Sequence, residues 1–335
     1  MTGFWMRRLG GLALVAAVYL ALDACGTGSA DSPDPFPPTP TVEASVTEAP
    51  TTSPGTATPT SGNTSDRTDA AALPRGGREV FPRYRLVGYA GLTGARTLGR
   101  LGTGPLDQRV GELERRAAGY ATGREILPVL EVIATIVQGS PGRDGRYRIR
   151  ITDKQIETYL KEARKHKALM LLNIQPGRSE FLPEAKSYER WLKLPDVGVA
   201  LDPEWAIDPG QVPGRAYGHS TGAELDAVAS YLAELVEEYD LPQKVMVYHQ
   251  VARSVLRAES GLHPHSGVVL IKSVDGLGPP GPKINTYRHV NQTTPPFVHA
   301  GFKLFFTEDR RNHGRLMTPK EVLALKPRPE YVMYE

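Results

Sequence analysis

The sequence predicts an α/β fold: a (β/α)8 barrel lacking its last outer helix, preceded by a signal peptide and a disordered linker. Eight short apolar runs are spread over the last stretch of about 260 residues, long enough for one large core. Amphipathic helical patterns separate several of these runs. No Gly-rich turn of the dinucleotide or phosphate type is present to favour an open doubly wound sheet, since GLTGARTLGRLGTG matches neither spacing.

The predicted strands cover residues 85–90, 126–136, 168–174, 197–201, 244–248, 268–272, 301–306 and 331–334. Each is a run of the length and apolarity of a buried parallel strand. Between them, Thr152 and Asp153 open TDKQIETYLKEARKHK, with Ile156, Tyr159, Leu160 and Ala163 on one face. Ser220 or Thr221 opens TGAELDAVASYLAELVEEY, striped by Leu225, Val228, Leu232 and Val236. Shorter helices are expected over 106–118, 184–192, 251–258 and 319–325, the last with Pro319 in its first turn. The last strand runs into the C-terminus, which leaves no room for an eighth outer helix.

The other divisions follow from composition. MTGFWMRR supplies a short basic region, and LGGLALVAAVYLAL is an apolar run of 14 residues, the length of an export signal rather than a membrane span. It closes on Leu22-Asp23-Ala24-Cys25. This segment resembles the lipobox of bacterial lipoproteins, with Asp23 where a small or hydroxylated residue is usual. The resemblance implies a signal peptide over residues 1–24 and lipidation of Cys25. Cys25 is the single cysteine, so it forms no internal disulfide. Diacylation would give the two-chain anchoring that stable membrane attachment needs, on the extracytoplasmic face. Residues 25–75 form a Thr/Ser/Pro-rich linker with no Leu or Ile before Leu73, too poor in apolar surface to order itself. Residues 76–335 form the barrel.

The chain has a net charge of +3. The linker carries six acids against Arg67 and Arg75, which leaves the barrel about +6 with no dense basic run. Nucleic acid is therefore not an expected partner. Arg143, Arg146, Arg148 and Arg150 alternate with other residues as on the exposed face of a strand or loop. A monomer is expected.

In such barrels function sits at the C-terminal ends of the strands. Those ends carry Tyr89; Glu131; Asn173 and Gln175; Asp202, Glu204 and Trp205; Tyr248, His249 and Gln250; Lys272 and Asp275; and Glu308. Carboxylates, amides, a histidine and aromatics together suit a sugar cleft: two acids for the bond, polar groups for hydroxyls, flat rings for pyranose faces. Glu204, Asp202, Glu131 and Glu308 are the candidate catalytic acids. Tyr89, Asn173, Gln175, Trp205, Tyr248, His249, Gln250, Lys272 and Asp275 are the candidate binding residues. Asp202 and Glu204, two apart on an extended segment, are expected to face one side and to push one pKa upward.

The LDPEW segment resembles the acidic end of strand four in barrel glycosidases of the chitinase and muramidase-lysozyme classes. There an Asp-x-Glu places the proton donor. Val197 and Ala200 stand where the chitinase pattern has Asp, and Pro203 stands where paired-acid barrel glycosidases carry Asn. With LLNIQPG, ALDPEW and GFKLFF, the domain resembles an uncharacterised family of actinobacterial secreted or lipoprotein-type proteins, which implies compartment and fold rather than chemistry.

Structural readings stand beside these. Glu131 can pair inside the barrel with Lys303 or Lys272, Asp202 can cap the turn after its strand, and Trp205 can be a packing residue. His263-Pro264-His265 has no carboxylate following at ligand spacing, so neither a metal nor a cofactor is expected. Three functions remain: a glycoside hydrolase acting on polysaccharide, a glycan- or wall-ligand-binding barrel without turnover, and a barrel phosphodiesterase using Lys272, His249 and Arg310 or Arg311.

Overall fold

The computed structural model describes residues 72–335. The expected signal peptide, Cys25 and all but the end of the linker lie outside the described residues. Eight parallel strands close a barrel: β1 (Tyr84–Gly91), β2 (Glu125–Val137), β3 (Leu169–Ile174), β4 (Val197–Leu201), β5 (Lys244–Gln250), β6 (Val268–Val274), β7 (His299–Leu304) and β8 (Tyr331–Tyr334). They follow one another in chain order around the sheet, and β1 pairs with both β2 and β8.

Alternation along the strands sorts their side chains into two cores. Leu86, Leu127, Val129, Leu169, Leu171, Val245, Val247, Ile271, Tyr331 and Met333 fill the lumen. Val87, Leu130, Met170, Val199, Met246, Leu270 and Phe302 meet the helices outside. Strand β4 gives the lumen only Gly198 and Ala200. A Cβ on Gly198 would lie 2.4 Å from the Val245 carbonyl oxygen, so the close approach of β4 to β5 demands glycine there.

The outer layer comprises α1 (Leu106–Ala117), α2 (Asp153–Lys165), α3 (Phe181–Lys186), α4 (Glu189–Leu192), α5 (Gly222–Glu238), α6 (Pro280–Val290) and α7 (Pro319–Leu323). Thr152, Thr221 and Thr318 each begin a helix with a reciprocal capping box, to Gln155, Glu224 and Glu321. Packing at the foot of the barrel starts with Leu73, and Arg75 donates to the Ile126 carbonyl at 2.9 Å.

Several elements differ from expectation. The helix expected over 251–258 is a 3-10 turn (Arg253–Val255) followed by a two-residue strand (Leu256–Arg257) paired with Ser220–Thr221. Ala258, with φ of 47°, takes the left-handed conformation and ends any helical course. The helix expected over 184–192 is broken into α3 and α4. Ser187 Oγ donates to the Glu184 carbonyl at 2.6 Å, and the Glu184 carboxylate is drawn out to Arg148 and Arg150, each at 2.8 Å. Strand β7 ends at Leu304 rather than Phe306, because the Phe305 amide donates to the Asp309 side chain and leaves the ladder. Helix α6 was not anticipated; three prolines around its first turn hide its periodicity. The alternating arginines do form a strand edge, with Arg148–Arg150 antiparallel to the overhanging end of β2.

Candidate functional site

Above the apolar lumen the inward positions turn polar. Glu131 on β2, Asn173 on β3, Asp202 after β4, His249 on β5, Asp275 after β6 and Lys303 on β7 are all buried. All lie at or just past C-terminal strand ends except Glu131, which is mid-strand because β2 runs on to Val137. Glu131, Asn173, Asp202, His249 and Lys303 each extend their strand's lumen-facing series by two residues, and Asp275 follows Ser273 on the inward series of β6, which is why they meet.

Asn173 Nδ2 donates to Glu131 Oε1 at 3.0 Å and to Asp202 Oδ1 at 3.1 Å. Gln175 Nε2 reaches Asp202 Oδ2 at 3.3 Å. His249 pairs through Nδ1 with Asp275 at 2.9 Å. Its Nε2 lies 3.1 Å from Glu131 Oε1, within ion-pair reach, yet the ring N–H direction makes no hydrogen bond there. Ser273 donates to the other Asp275 oxygen at 2.8 Å. Lys303 lies 3.2 Å from Asp275 and 2.6 Å from Glu335. Tyr331 donates to Glu131 from across the lumen.

These contacts divide the carboxylates into two kinds. Burial acts to raise Asp275 and Glu131, but His249 and Lys303 outweigh it and hold both below the ordinary carboxylate range. The same carboxylates hold His249 and Lys303 charged, well above their ordinary values, against their own burial. His249 and Lys303 are thus shared among Glu131, Asp275 and Glu335, with Asp202 Oδ1 at the edge of ion-pair reach, 3.9 Å from His249 Nε2, whereas Glu204 forms no ion pair among the described residues. Burial pushes Asp202 up to about 6, with His249 and Lys303 opposing. Burial first, then the charges of Asp202 and Asp275, push Glu204 up to about 8. Burial and the neighbouring carboxylates therefore favour the proton on Glu204 over Asp202.

Pro203–Trp205 is a 3-10 turn rather than the expected extended segment, since Pro203 favours a first helical turn. Asp202 and Glu204 still reach the same cavity. Asp202 precedes the turn without capping it; its carboxylate is engaged by Asn173 and Gln175 instead. The turn is anchored by Gly218, whose amide donates to the Glu204 carbonyl at 2.7 Å. This contact brings Tyr217 to the mouth.

The cavity has a volume of about 400 Å³. Its floor is Glu131, Asn173, Asp202, Asp275 and Lys303, and Glu204, Trp205 and Glu308 stand on its wall. Glu204 Oε2 and Asn173 Oδ1 are buried without a hydrogen-bond partner. Such orphaned groups each cost about 1–3 kcal/mol unless a ligand or water satisfies them.

Four candidate binding residues are not brought to this site. Tyr89 is outward on β1; its hydroxyl donates to Glu112 of α1 and accepts from Arg116. Tyr248 and Lys272 are outward on β5 and β6 and converge on Glu259, at 2.8 and 2.6 Å. Gln250 is buried but does not line the cavity. A strand end carries two faces, and these residues sit on the wrong one. With Lys272 turned away, the phosphodiesterase reading loses one of its three supports. Glu131 pairs with Asn173, Tyr331 and His249 rather than directly with Lys303 or Lys272. His263 and His265 converge on Asp226, on α5, away from the mouth.

Sequence reasoning overlooked Glu335, Tyr217, Arg96 and Arg100 among the cavity residues. Glu335 was findable, because it extends the inward series of β8. Tyr217 and Arg96 stand in Gly-rich loops that carry no periodic signal.

Fold and site together define a (β/α)8-barrel protein with a carboxylate-rich, charge-compensated pocket at the C-terminal mouth. The chain matches no protein-family model, and no curated protein is significantly similar to it.

Proposed function

We propose that the barrel mouth is a glycoside-hydrolase-like site acting on a polysaccharide. Glu204 serves as general acid. Its proton passes to the glycosidic oxygen as the bond to the anomeric carbon breaks, while ionised Asp202 supports water or the anomeric carbon from the other side. The observation that carries this reading is the division inside one cavity: burial and neighbouring carboxylates push Glu204 up to about 8 and Asp202 only to about 6, and Glu204 forms no ion pair among the described residues while Asp202 lies 3.9 Å from His249. Glu131 and Asp275 are bound into the His249 and Lys303 network and act as positioning residues. Glu308 faces the same cavity from the loop after β7. Trp205, Phe305 and Phe306 offer ring faces for sugars.

The proposal extends to location. The lipobox-like segment ending at Cys25 supports a lipoprotein held at the extracytoplasmic face of the cell membrane, of the secreted actinobacterial kind, with a cell-wall or environmental glycan as ligand. The test is a screen of the purified protein against wall and plant polysaccharides. On any glycan cleaved, Glu204→Gln is expected to lower turnover by about 10²–10⁴ with the melting temperature retained. Undiminished turnover in the variant removes Glu204 as the general acid; binding with no turnover in either form replaces this reading with a glycan-binding barrel.

A further inference from the structure

One side of the mouth is built differently from the acidic floor. The loop between β1 and α1 carries Arg96 and Arg100 into the main cavity, and a second, more open recess beside it is lined by Arg96, Arg100, Thr103 and Arg109. Only one acid serves this group. Glu112 of α1 takes Arg100 at 2.7 Å, Arg109 at 2.5 Å and Arg116 at 3.9 Å. A single carboxylate cannot neutralise three guanidiniums, so the patch stays positive even before Arg96 is counted.

Two further observations show that Arg100 is held in place with donor capacity to spare. Arg100 and Arg116 stack on Phe306, their guanidinium carbons 4.9 and 5.0 Å from the ring centre. The Nε atoms of Arg100 and Arg109 are buried without an acceptor. Arg96 is exposed, and no hydrogen bond or ion pair holds its guanidinium. A planar donor fork fixed by stacking and left partly unsatisfied is the arrangement that recognises an oxyanion.

We propose that this arginine cluster is a subsite for an anionic substituent, a carboxylate or a phosphate, carried by the glycan bound over Glu204. The substrate class is an acidic polysaccharide. The inference rests on the glycosidase reading for the reacting bond. The acidic floor repels an anion and the arginine side attracts one, so the charged sugar is directed to the recess and its neighbour to Glu204.

Calorimetric titration of the full chain carrying Glu204→Gln tests this with two matched pairs: tetragalacturonate against its carboxyl-reduced form, and a phosphorylated tetrasaccharide against its dephosphorylated form. At least one acidic member is expected to bind about tenfold more tightly than its neutral partner. The pair that shows the difference identifies the anion. Arg96→Ala, at a side chain with no structural partner, should abolish most of that preference, and 0.5 M salt should weaken it in the parent. Equal binding within both pairs, no saturable binding by any member, or a preference untouched by Arg96→Ala overturns the subsite. Glu204-dependent cleavage of a neutral glycan without acidic preference defeats this inference alone. Acidic preference without Glu204-dependent turnover defeats the hydrolase reading alone.

Discussion

Glu204 owes its protonation to the removal of water and to the company it keeps. Asp275 and Glu131 already use the positive charge of His249 and Lys303, so ionising Glu204 would add an unpaired anion to a buried cluster. Two pH effects follow. Activity needs Asp202 ionised and Glu204 protonated, so kcat/KM should describe a bell with limbs near the values to which burial pushes them, about 6 and about 8. Glu204 is raised above its unfolded value, so its contribution to stability is complete below the ordinary carboxylate range. That contribution is lost as pH rises through about 8. Thermal melts from pH 5 to pH 9 should show the parent falling relative to Glu204→Gln as pH rises; parallel curves would mean Glu204 is ionised throughout.

The capped helices form where local chemistry asks for them, and the strands are placed by contact. Thr152 and Thr221 were visible in sequence as helix starts because capping is a short-range device; Thr318, whose helix was expected from Pro319, caps in the same way. Gly198 is the opposite case, an ordinary-looking residue in VGVAL whose size is dictated by a neighbouring strand. Gly198→Ala would press a methyl group onto the Val245 carbonyl oxygen at 2.4 Å and Leu171 Cδ2 at 2.8 Å. Backbone cannot yield as a side chain can, so the expected cost is about 1–3 kcal/mol or more in urea unfolding. A loss below about 0.5 kcal/mol would show that β4 and β5 move apart easily.

Closure is a property of the whole molecule. Strand β8 pairs with β7 and β1, and it also sends Tyr331 to Glu131 and Glu335 to Lys303, so the end of the chain completes both sheet and pocket. Among the described residues no helix is long and apolar enough to cross a membrane. The proposed membrane attachment therefore depends on Cys25 and the segment before it. Cys25→Ser should shift the protein from the membrane fraction to the medium, or leave it as unprocessed precursor. Normal maturation with unchanged membrane retention would remove the lipoprotein proposal.

The sequence by itself determined the closed parallel barrel, the approximate span of all eight strands, and most of the strand-end residues from which the pocket is drawn, Lys303 and Glu335 excepted. Those features rest on apolar run length, alternation and caps, all of which act between near neighbours. Only the tertiary structure decided which strand-end residues face inward. Tyr248 and His249 are a one-residue step apart on one strand, and that step reverses the side-chain direction; Tyr89 and Lys272 stand on the outward series of their strands in the same way. It also decided which carboxylates are neutralised, because the partners of Asp275 come from the strands on either side of it and those of Glu131, His249 and Tyr331, from strands far away in the chain. The arginine side of the mouth belongs to the same category. Its charge follows from three guanidiniums meeting one Glu112, a ratio set by how the β1–α1 loop and α1 fold onto each other.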